Sequence, residues 1–149
     1  MAEPAILTNM CMVYDREGRI LVEDRLNPDW PGVTFPGGHV KKNESFTDSV
    51  IREIREETGL AIEAPRLCGV KQFETDRGER YIVLFFKTDR FSGTLRDSGE
   101  GRVFWIRPEE LGNYKLANDF DDMYRIFADG SLQEFFWERG EDGWVKHIY

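Results

Sequence analysis

Three glutamates near the middle of the chain, Glu53, Glu56 and Glu57, follow one another at helical spacing. Residues three and four positions apart lie on one face of a helix, so these carboxylates would lie within reach of each other. They also precede Gly59 in what would be the last helical turn, where the helix dipole disfavours negative charge. A hard divalent cation, which takes oxygen ligands, would compensate this repulsion. The alternative interpretation is a solvated acidic helix end.

The helix that must carry these glutamates has recognisable ends. Ser45 and Asp48, three positions apart, form a capping-box pattern, and Gly59 is suited to the C-terminal cap. Apolar residues recur between them at helical spacing. We therefore expect a helix from about Phe46 to Thr58.

The same segment fits a longer pattern. Gly38, five residues, Glu44, seven residues and then the run from Arg52 to Leu60 resemble the signature of the Nudix hydrolases. The resemblance implies an α/β fold, an α/β/α sandwich with a central mixed β-sheet. It also implies an enzyme that splits a phosphoanhydride bond in a nucleoside diphosphate derivative.

The resemblance further implies a metal centre. Glu53, Glu56 and Glu57 would hold one or more Mg²⁺ ions, and the carbonyl of Gly38 would be a further ligand. Mn²⁺ is a possible substitute for Mg²⁺. The physical logic agrees, because ions placed in this way clamp bridging phosphates and activate a water molecule.

Other charged residues have expected roles around that centre. By the same resemblance, Arg52 would orient the glutamates and Glu44 would support them without touching the ion. Family members often add a carboxylate from a later loop as a metal ligand or general base, and Glu100 is placed to be this group. Asp97 and Glu79 are rival candidates, and an exposed loop glutamate without a role is an equal alternative.

The substrate must be selected outside this signature. The whole-chain pattern most resembles the MutT-like 8-oxo-dGTP diphosphatases, which produce the nucleoside monophosphate and pyrophosphate. On that resemblance Arg25, Phe35 and Asn118 are expected to bind substrate. The Asn118 amide offers a donor and an acceptor to a purine edge, but asparagine is equally favoured as a helix N-cap.

Other functions stay open at this stage. A Nudix hydrolase could instead act on diadenosine polyphosphates, ADP-ribose or the 5′ triphosphate of RNA. A non-catalytic nucleotide-sensing module is the alternative from another class, although such members typically lose glutamates that are all present here.

Composition limits the remaining choices. With 149 residues, the chain is expected to form one domain over residues 1–149. The formal net charge of −8 disfavours duplex nucleic acid as a partner, whereas a small nucleotide stays possible. Cys11 and Cys68 fit free thiols and no zinc site. We find no membrane segment or export signal, so we expect a cytoplasmic monomer or homodimer.

The rest of the chain alternates strand patterns with turn residues. A second helix is expected over residues 120–128, and the aromatic C-terminal segment is expected to form a hairpin that packs on the domain or on a second subunit. The expected strands are residues 6–14, 19–22, 61–73, 81–88 and 102–106.

Overall fold

The structure is a computed structural model that describes residues 1–149. Its strands are β1 (Ala5–Val13), β2 (Ile20–Arg25), β3 (Gly32–Thr34), β4 (Leu60–Ile62), β5 (Arg66–Glu74), β6 (Arg80–Thr88), β7 (Phe91–Gly93), β8 (Gly101–Ile106), β9 (Glu134–Gly140) and β10 (Gly143–Ile148). Its α-helices are α1 (Phe46–Thr58) and α2 (Phe120–Ala128), and a 3-10 helix spans Pro108–Asn113.

The central feature is a five-stranded mixed sheet in the order β1-β6-β5-β9-β10. The β1–β6 and β5–β9 pairs are parallel, whereas β5–β6 and β9–β10 are antiparallel. A smaller antiparallel sheet has the order β3-β2-β8, and β4 pairs with β7. The mixed sheet and the two helices confirm the expected fold class.

The two helices cover opposite faces of the sheet. Side chains of a strand alternate between faces, and β1 shows this clearly. Met10 and Met12 pack in a cluster with the apolar residues of α2, whereas Cys11 and Val13 pack with Val50 of α1 and its neighbours. Layers of helix, sheet and helix follow from this alternation.

The ends of α1 lie where the sequence predicts them. Ser45 accepts a hydrogen bond from the backbone N–H of Asp48 at 2.9 Å. At the other end, Gly59 has a φ of 82° and donates its N–H to the carbonyl of Arg55 at 3.0 Å. Glycine suits this left-handed conformation, so the helix ends immediately after its glutamates.

The helix α2 has the expected bounds, but a different residue precedes it. The N-cap is Asp119, at a φ of 70°, and not Asn118. The capping alternative for Asn118 is therefore wrong. The expected C-terminal hairpin is present as β9 and β10, and it extends the central sheet because β9 pairs with β5.

Two strand predictions need correction. The expected strand over residues 61–73 is two strands, β4 and β5, separated around Ala64, which has a positive φ of 48°, and Pro65, which lacks a backbone N–H. The short strand β7, which pairs with β4, was not predicted.

Neither α1 nor α2 has the length and the apolar composition of a membrane-spanning helix. Both cysteines are free thiols.

Candidate active site

The loop that precedes α1 is fixed to the middle of β1. The backbone N–H of Asn9 donates to the carbonyl of Gly38 at 2.8 Å, and the N–H of Cys11 donates to Pro36 at 3.0 Å. The Asn9 side chain accepts from the N–H of Gly38 at 3.1 Å and donates to Ser49 of α1 at 2.9 Å. One asparagine therefore ties the strand, the loop and the helix together.

The two glycines of this loop permit close contact with the glutamates. A Cβ atom on Gly37 would overlap the carbonyl of Asn9, and one on Gly38 would overlap the carboxylate of Glu53. The N–H of Gly37 donates to Oε2 of Glu57 at 3.0 Å. Any side chain at Gly38 would displace the Glu53 carboxylate.

Arg52 lies at the centre of an ion-pair network. Its guanidinium binds both carboxylate oxygens of Glu44, at 2.7 and 2.9 Å. It also donates to Glu53 at 2.8 Å, to Glu56 at 3.2 Å and to the carbonyl of His39 at 3.0 Å. These contacts are the ones that an orienting residue requires.

Glu44 is strongly engaged by this network. The Arg52 guanidinium, and then the backbone N–H of Lys41, hold the pKa of Glu44 down at about 2. Glu44 is therefore ionised at neutral pH, and it satisfies much of the charge of Arg52. Less of that charge is left for Glu53 and Glu56.

The three glutamates of α1 differ in depth. Glu57 is buried, at 5% exposure, and the Glu53 side chain is 14% exposed. The Glu56 side chain is 54% exposed. The set therefore runs from the protein interior to its surface along one side of the helix.

A fourth glutamate, Glu23, lies next to this set and was not among the residues singled out from the sequence. It lies on β2, the middle strand of the small sheet, between Thr34 and Val103. It is fully buried, and neither carboxylate oxygen has a hydrogen-bond partner. A buried acceptor without a partner is unusual in folded proteins, so this one needs an explanation.

Burial and mutual repulsion act on the deepest carboxylates. Burial is the largest cause that raises the pKa of Glu57, and the neighbouring charge of Glu23 raises it further. Burial likewise raises the pKa of Glu23, and the charges of Glu100 and Glu53 add to the effect. These carboxylates thus repel one another here, and the charge of Arg25 lowers the pKa of Glu23 without reversing the effect of burial.

Glu100 lies on the loop before β8, where the N–H of Leu26 donates to its carbonyl at 3.1 Å. Its side chain is exposed and makes no hydrogen bond, although its charge acts on Glu23. The rivals are engaged elsewhere: Asp97 accepts from the N–H of Val103 at 3.0 Å, and Glu79 accepts from Thr75 at 3.1 Å within its own turn. Of the three, Glu100 has the freest carboxylate.

These residues fit a divalent cation by their chemistry. The donors are all oxygen atoms, two of them orphaned on Glu23, and Gly38 keeps the space beside Glu53 open. No three acidic side chains already converge on one point as a ready metal cage. Glu53 and Glu56 are turned towards Arg52, so a cation would compete with that arginine for them.

The carbonyl of Gly38, an expected ligand, is already used. It accepts the hydrogen bond from Asn9, which leaves one lone pair for a cation. The carbonyl of Gly37 accepts no hydrogen bond. Gly37 therefore has the more available backbone oxygen in this loop.

A cleft of about 250 Å³ lies beside the start of α2. Its lining residues are Phe73, Asn118, Asp119, Trp137 and Trp144. Asp119 accepts hydrogen bonds from Lys71 at 3.1 Å and from the Trp137 indole at 3.0 Å, so its charge is satisfied. Asn118 is exposed and its amide makes no hydrogen bond, so it is free to bind a ligand.

A larger hollow of about 540 Å³ lies around Asp15 and Arg90 and contains none of the glutamates of α1.

Arg25 reaches this cleft indirectly. Its Nε donates to the carbonyl of Trp30 at 3.1 Å, and its guanidinium lies 5.2 Å from the centre of the Trp30 ring. The Trp30 indole in turn donates to the carbonyl of Asn118 at 3.0 Å. Arg25 thus supports the residue that fixes the backbone of Asn118.

For Phe35, the structure contradicts a substrate contact by the side chain. Its side chain is 1% exposed and lies in the core, with its ring edge-on to Phe120 at 4.8 Å and to Phe127 at 4.9 Å. It has no surface to present to a substrate. Its position before the Pro-Gly-Gly turn reflects packing under α2.

The residues that sequence reasoning missed share one property. They lie on strands of two sheets, and only the strand pairing brings them to their places: these residues are Glu23, Phe73, Trp137 and Trp144. The aromatic C-terminal segment was the one available signal, and it was expected only to pack on the domain or on a second subunit. Phe135 of this segment is buried in the core, whereas Trp137 and Trp144 line the cleft.

Comparison with known proteins places the chain in a family. The model of the NUDIX domain matches residues 6–129. An uncharacterized Nudix hydrolase of Bacillus subtilis, YvcI, is 37% identical over 110 residues, which are 70% of this chain and 68% of that protein. A MutT-like protein of Streptomyces ambofaciens is 34% identical over 139 residues, 92% of this chain and 82% of that one.

The fold agrees with solved structures. The mutator MutT protein of Bacillus halodurans superposes with a TM-score of 0.77 at 22% identity, over 96% of this chain and 97% of that one. Other relatives have names that specify different substrates: a CTP pyrophosphohydrolase of Escherichia coli, an ADP-ribose pyrophosphatase of Methanocaldococcus jannaschii and an 8-oxo-dGTP diphosphatase of Buchnera aphidicola. The chain therefore belongs to the Nudix family, as a MutT-like hydrolase that acts on nucleotide phosphoanhydride bonds.

Proposed function

We propose that this protein is a Mg²⁺-dependent pyrophosphohydrolase that converts 8-oxo-dGTP, or a related nucleoside triphosphate, to the monophosphate and pyrophosphate. The observation that carries the proposal is the free Asn118 amide in an aromatic cleft, in a chain that retains every glutamate of the Nudix signature. The whole chain, residues 1–149, acts as one catalytic domain in this proposal, because β9 continues the central sheet and carries a cleft residue.

The divalent cation would be held by oxygen atoms of four glutamates and of a backbone carbonyl in the loop at Gly38. The four glutamates are Glu53, Glu56, Glu57 and Glu100. When bound, Mg²⁺ supplies Lewis acidity towards the phosphates and the attacking water, and Mn²⁺ is a possible substitute. The depth gradient of the three glutamates supports this assignment, since the outer carboxylate of Glu56 is exposed to solvent and the inner one of Glu57 is buried.

The residues of the chain have separate tasks in this mechanism. Arg52 holds Glu53 and Glu56 in place, and Glu44 fixes Arg52 through two hydrogen bonds. Glu100, with an exposed and unpaired carboxylate, would accept the proton of the water that attacks phosphorus. No covalent enzyme intermediate is needed, so neither histidine acts as a nucleophile.

The cleft would select the base. The Asn118 amide presents one donor group and one acceptor to a purine edge, and Phe73, Trp137 and Trp144 offer ring faces or edges to the base. Arg25 contributes by holding Trp30 under the backbone of Asn118. The names of the relatives specify several different nucleotides, so they do not identify the base. The choice of base is inferred from the residues of the cleft.

Product formation with Mg²⁺ tests the proposal directly. The panel is 8-oxo-dGTP, dGTP, CTP, ADP-ribose and diadenosine tetraphosphate, resolved by chromatography, with Glu57→Gln as the blank. We expect 8-oxo-dGTP to give 8-oxo-dGMP and pyrophosphate with the highest kcat/KM. Preference for another compound would overturn the substrate and keep the mechanism, whereas silence throughout would favour a nucleotide-sensing module.

A further inference from the structure

Glu23 is the one buried polar side chain with atoms that lack any hydrogen-bond partner. It is fully buried, yet both oxygens of its carboxylate are orphaned. Leaving a buried acceptor unsatisfied is destabilising, and more so when the group is charged. An apolar side chain at this position would avoid that cost, so the carboxylate is expected to have a partner that the protein chain does not supply.

The surroundings of Glu23 identify the kind of partner. The charge of Glu23 raises the pKa of Glu57, and the charges of Glu100 and Glu53 raise the pKa of Glu23. These three neighbours of Glu23 are among the carboxylates proposed for the divalent cation. The charge of Arg25 lowers the pKa of Glu23, but the Nε of Arg25 donates its hydrogen bond to the carbonyl of Trp30 and not to Glu23. The missing partner must therefore be positive, small enough for a buried space, and shared with several carboxylates.

The neighbours of Glu23 and the face of β2 on which it lies indicate where its carboxylate is directed. Glu23 lies on the same face of β2 as Leu21, which packs in the cluster of α1, so its side chain is directed towards the helix that carries Glu53 and Glu57. On the neighbouring strand, a Cβ atom at Gly101 would lie 3.2 Å from Cγ of Glu23 and would overlap the carbonyl of Asp24. Glycines on both sides of the carboxylates, Gly38 and Gly101, thus keep side chains out.

We propose that Glu23 is an additional ligand of the divalent cation, on the buried side of the site and on a strand outside the Nudix signature. The proposal rests on the proposed function, because it assumes that Glu53, Glu56 and Glu57 bind the same ion. Glu23 would supply an oxygen ligand from β2, opposite those from α1, so that the cation joins the small sheet to the helix.

Mn²⁺ alone is the probe, and the signal of free Mn²⁺ in electron paramagnetic resonance measures its binding without any turnover. We expect Glu23→Gln to weaken Mn²⁺ binding about 10- to 100-fold, the range seen when groups around a metal are removed. Glu57→Gln is the reference for a lost ligand. Glu17→Gln, in the exposed turn that precedes β2, is the matched control and should bind like the unmodified chain.

Thermal unfolding separates a ligand from a merely structural residue. Without metal, Glu23→Gln should raise the Tm by about 2–4 °C, because it removes one of the repelling buried carboxylates. The rise in Tm on adding Mn²⁺ should shrink. A structural role would give the reverse: a lower Tm without metal and an unchanged rise with it. Glu23→Met, an apolar residue of similar volume, gives the same comparison if the glutamine variant folds poorly.

The outcomes distinguish two failures. If Glu23→Gln binds Mn²⁺ normally while Glu57→Gln does not, the role of Glu23 is wrong and the proposed function stands. If neither substitution changes Mn²⁺ binding, the metal assignment behind the proposed function fails as well.

Discussion

The acidic end of α1 and the aromatic cleft beside α2 differ in how completely their polar groups are satisfied. In the cleft, Asp119 is bound by Lys71 and by the Trp137 indole, and its charge is balanced within the protein. At the end of α1, carboxylates outnumber cations, and Glu23 has no partner at all. The charge of the first region is balanced within the protein, whereas the second region has an excess of negative charge, which the proposed cation would offset.

Under the proposed function, this difference matches the two regions with different parts of a nucleotide. A neutral ring needs a preformed, desolvated surface, and the cleft offers three aromatic side chains with one free amide. A polyphosphate needs positive charge, which the acidic region can provide only through bound metal ions. Substitutions in the acidic region should therefore change turnover and the affinity for Mg²⁺, whereas substitutions in the cleft should change KM and the preference for a base.

The largest expected effect comes from Glu57→Gln. It removes the most buried of the proposed ligands on α1, so turnover should fall by roughly a hundredfold or more, since loss of even an outer partner of a metal costs 10- to 100-fold. Steady-state kinetics with Mg²⁺ measures this, and Glu63→Gln, an exposed glutamate beside Arg90, is the control. Near-normal turnover in Glu57→Gln would show that the acidic region does not bind the catalytic ion.

Gly38→Ala should come next, with a loss of about 10- to 100-fold in the apparent affinity for Mg²⁺. The added Cβ would overlap the Glu53 carboxylate and force it away from its position. Titration of activity with Mg²⁺ measures the effect. Gly112→Ala, where a Cβ meets nothing within 4 Å, is the control and should titrate like the unmodified chain.

Trp144→Ala should act on the other region. Stacking of a base on an aromatic ring contributes about 1–3 kcal/mol, so KM should rise about tenfold while kcat and the Mg²⁺ dependence change little. Val145→Ala, at the next exposed position of β10, controls for disturbance of the hairpin. A fall in kcat without a change in KM would mean that the tryptophan does not contact the nucleotide.

The smallest and most selective effect is expected for Asn118→Ala. A lost pair of base-edge hydrogen bonds costs about 1–3 kcal/mol, and at the lower end of that range the preference for 8-oxo-dGTP over dGTP falls about fivefold. The ratio of the two kcat/KM values is the measurement. An equal loss for both nucleotides would indicate that Asn118 does not read the base.

The sequence predicted the parts of the molecule that local patterns determine. Both helices have the predicted bounds, because capping residues and apolar spacing are local signals. The prediction of one strand over residues 61–73 missed the break between β4 and β5. In the sequence, residues 61–62 resemble a continuation of the next strand, and only the backbone turn at Ala64 separates them. The short β7 has no signal of its own and exists through its pairing with β4.

The candidate site divides in the same way. The glutamates of α1 were visible from their spacing, whereas Glu23 looked like a polar residue near the end of a strand. Its burial arises from packing against α1 and from the loop before β8, which are contacts distant in sequence. Phe35 failed for the same reason, since only the position of α2 shows that its ring is covered.

The parallel pairing of β1 with β6 also has a kinetic consequence. It joins Ala5 to Arg80 and Val13 to Thr88, partners separated by about half the chain, and the loop at Gly38 is fixed on the same strand. Contacts of such long range require loop closure before they become favourable, and sheets built from them fold slowly, on the order of milliseconds to seconds. While the chain emerges from the ribosome, β1 and the loop at Gly38 cannot be joined to β6 until β6 has been synthesised. Until then, the carboxylates of α1 lack the sheet that holds them.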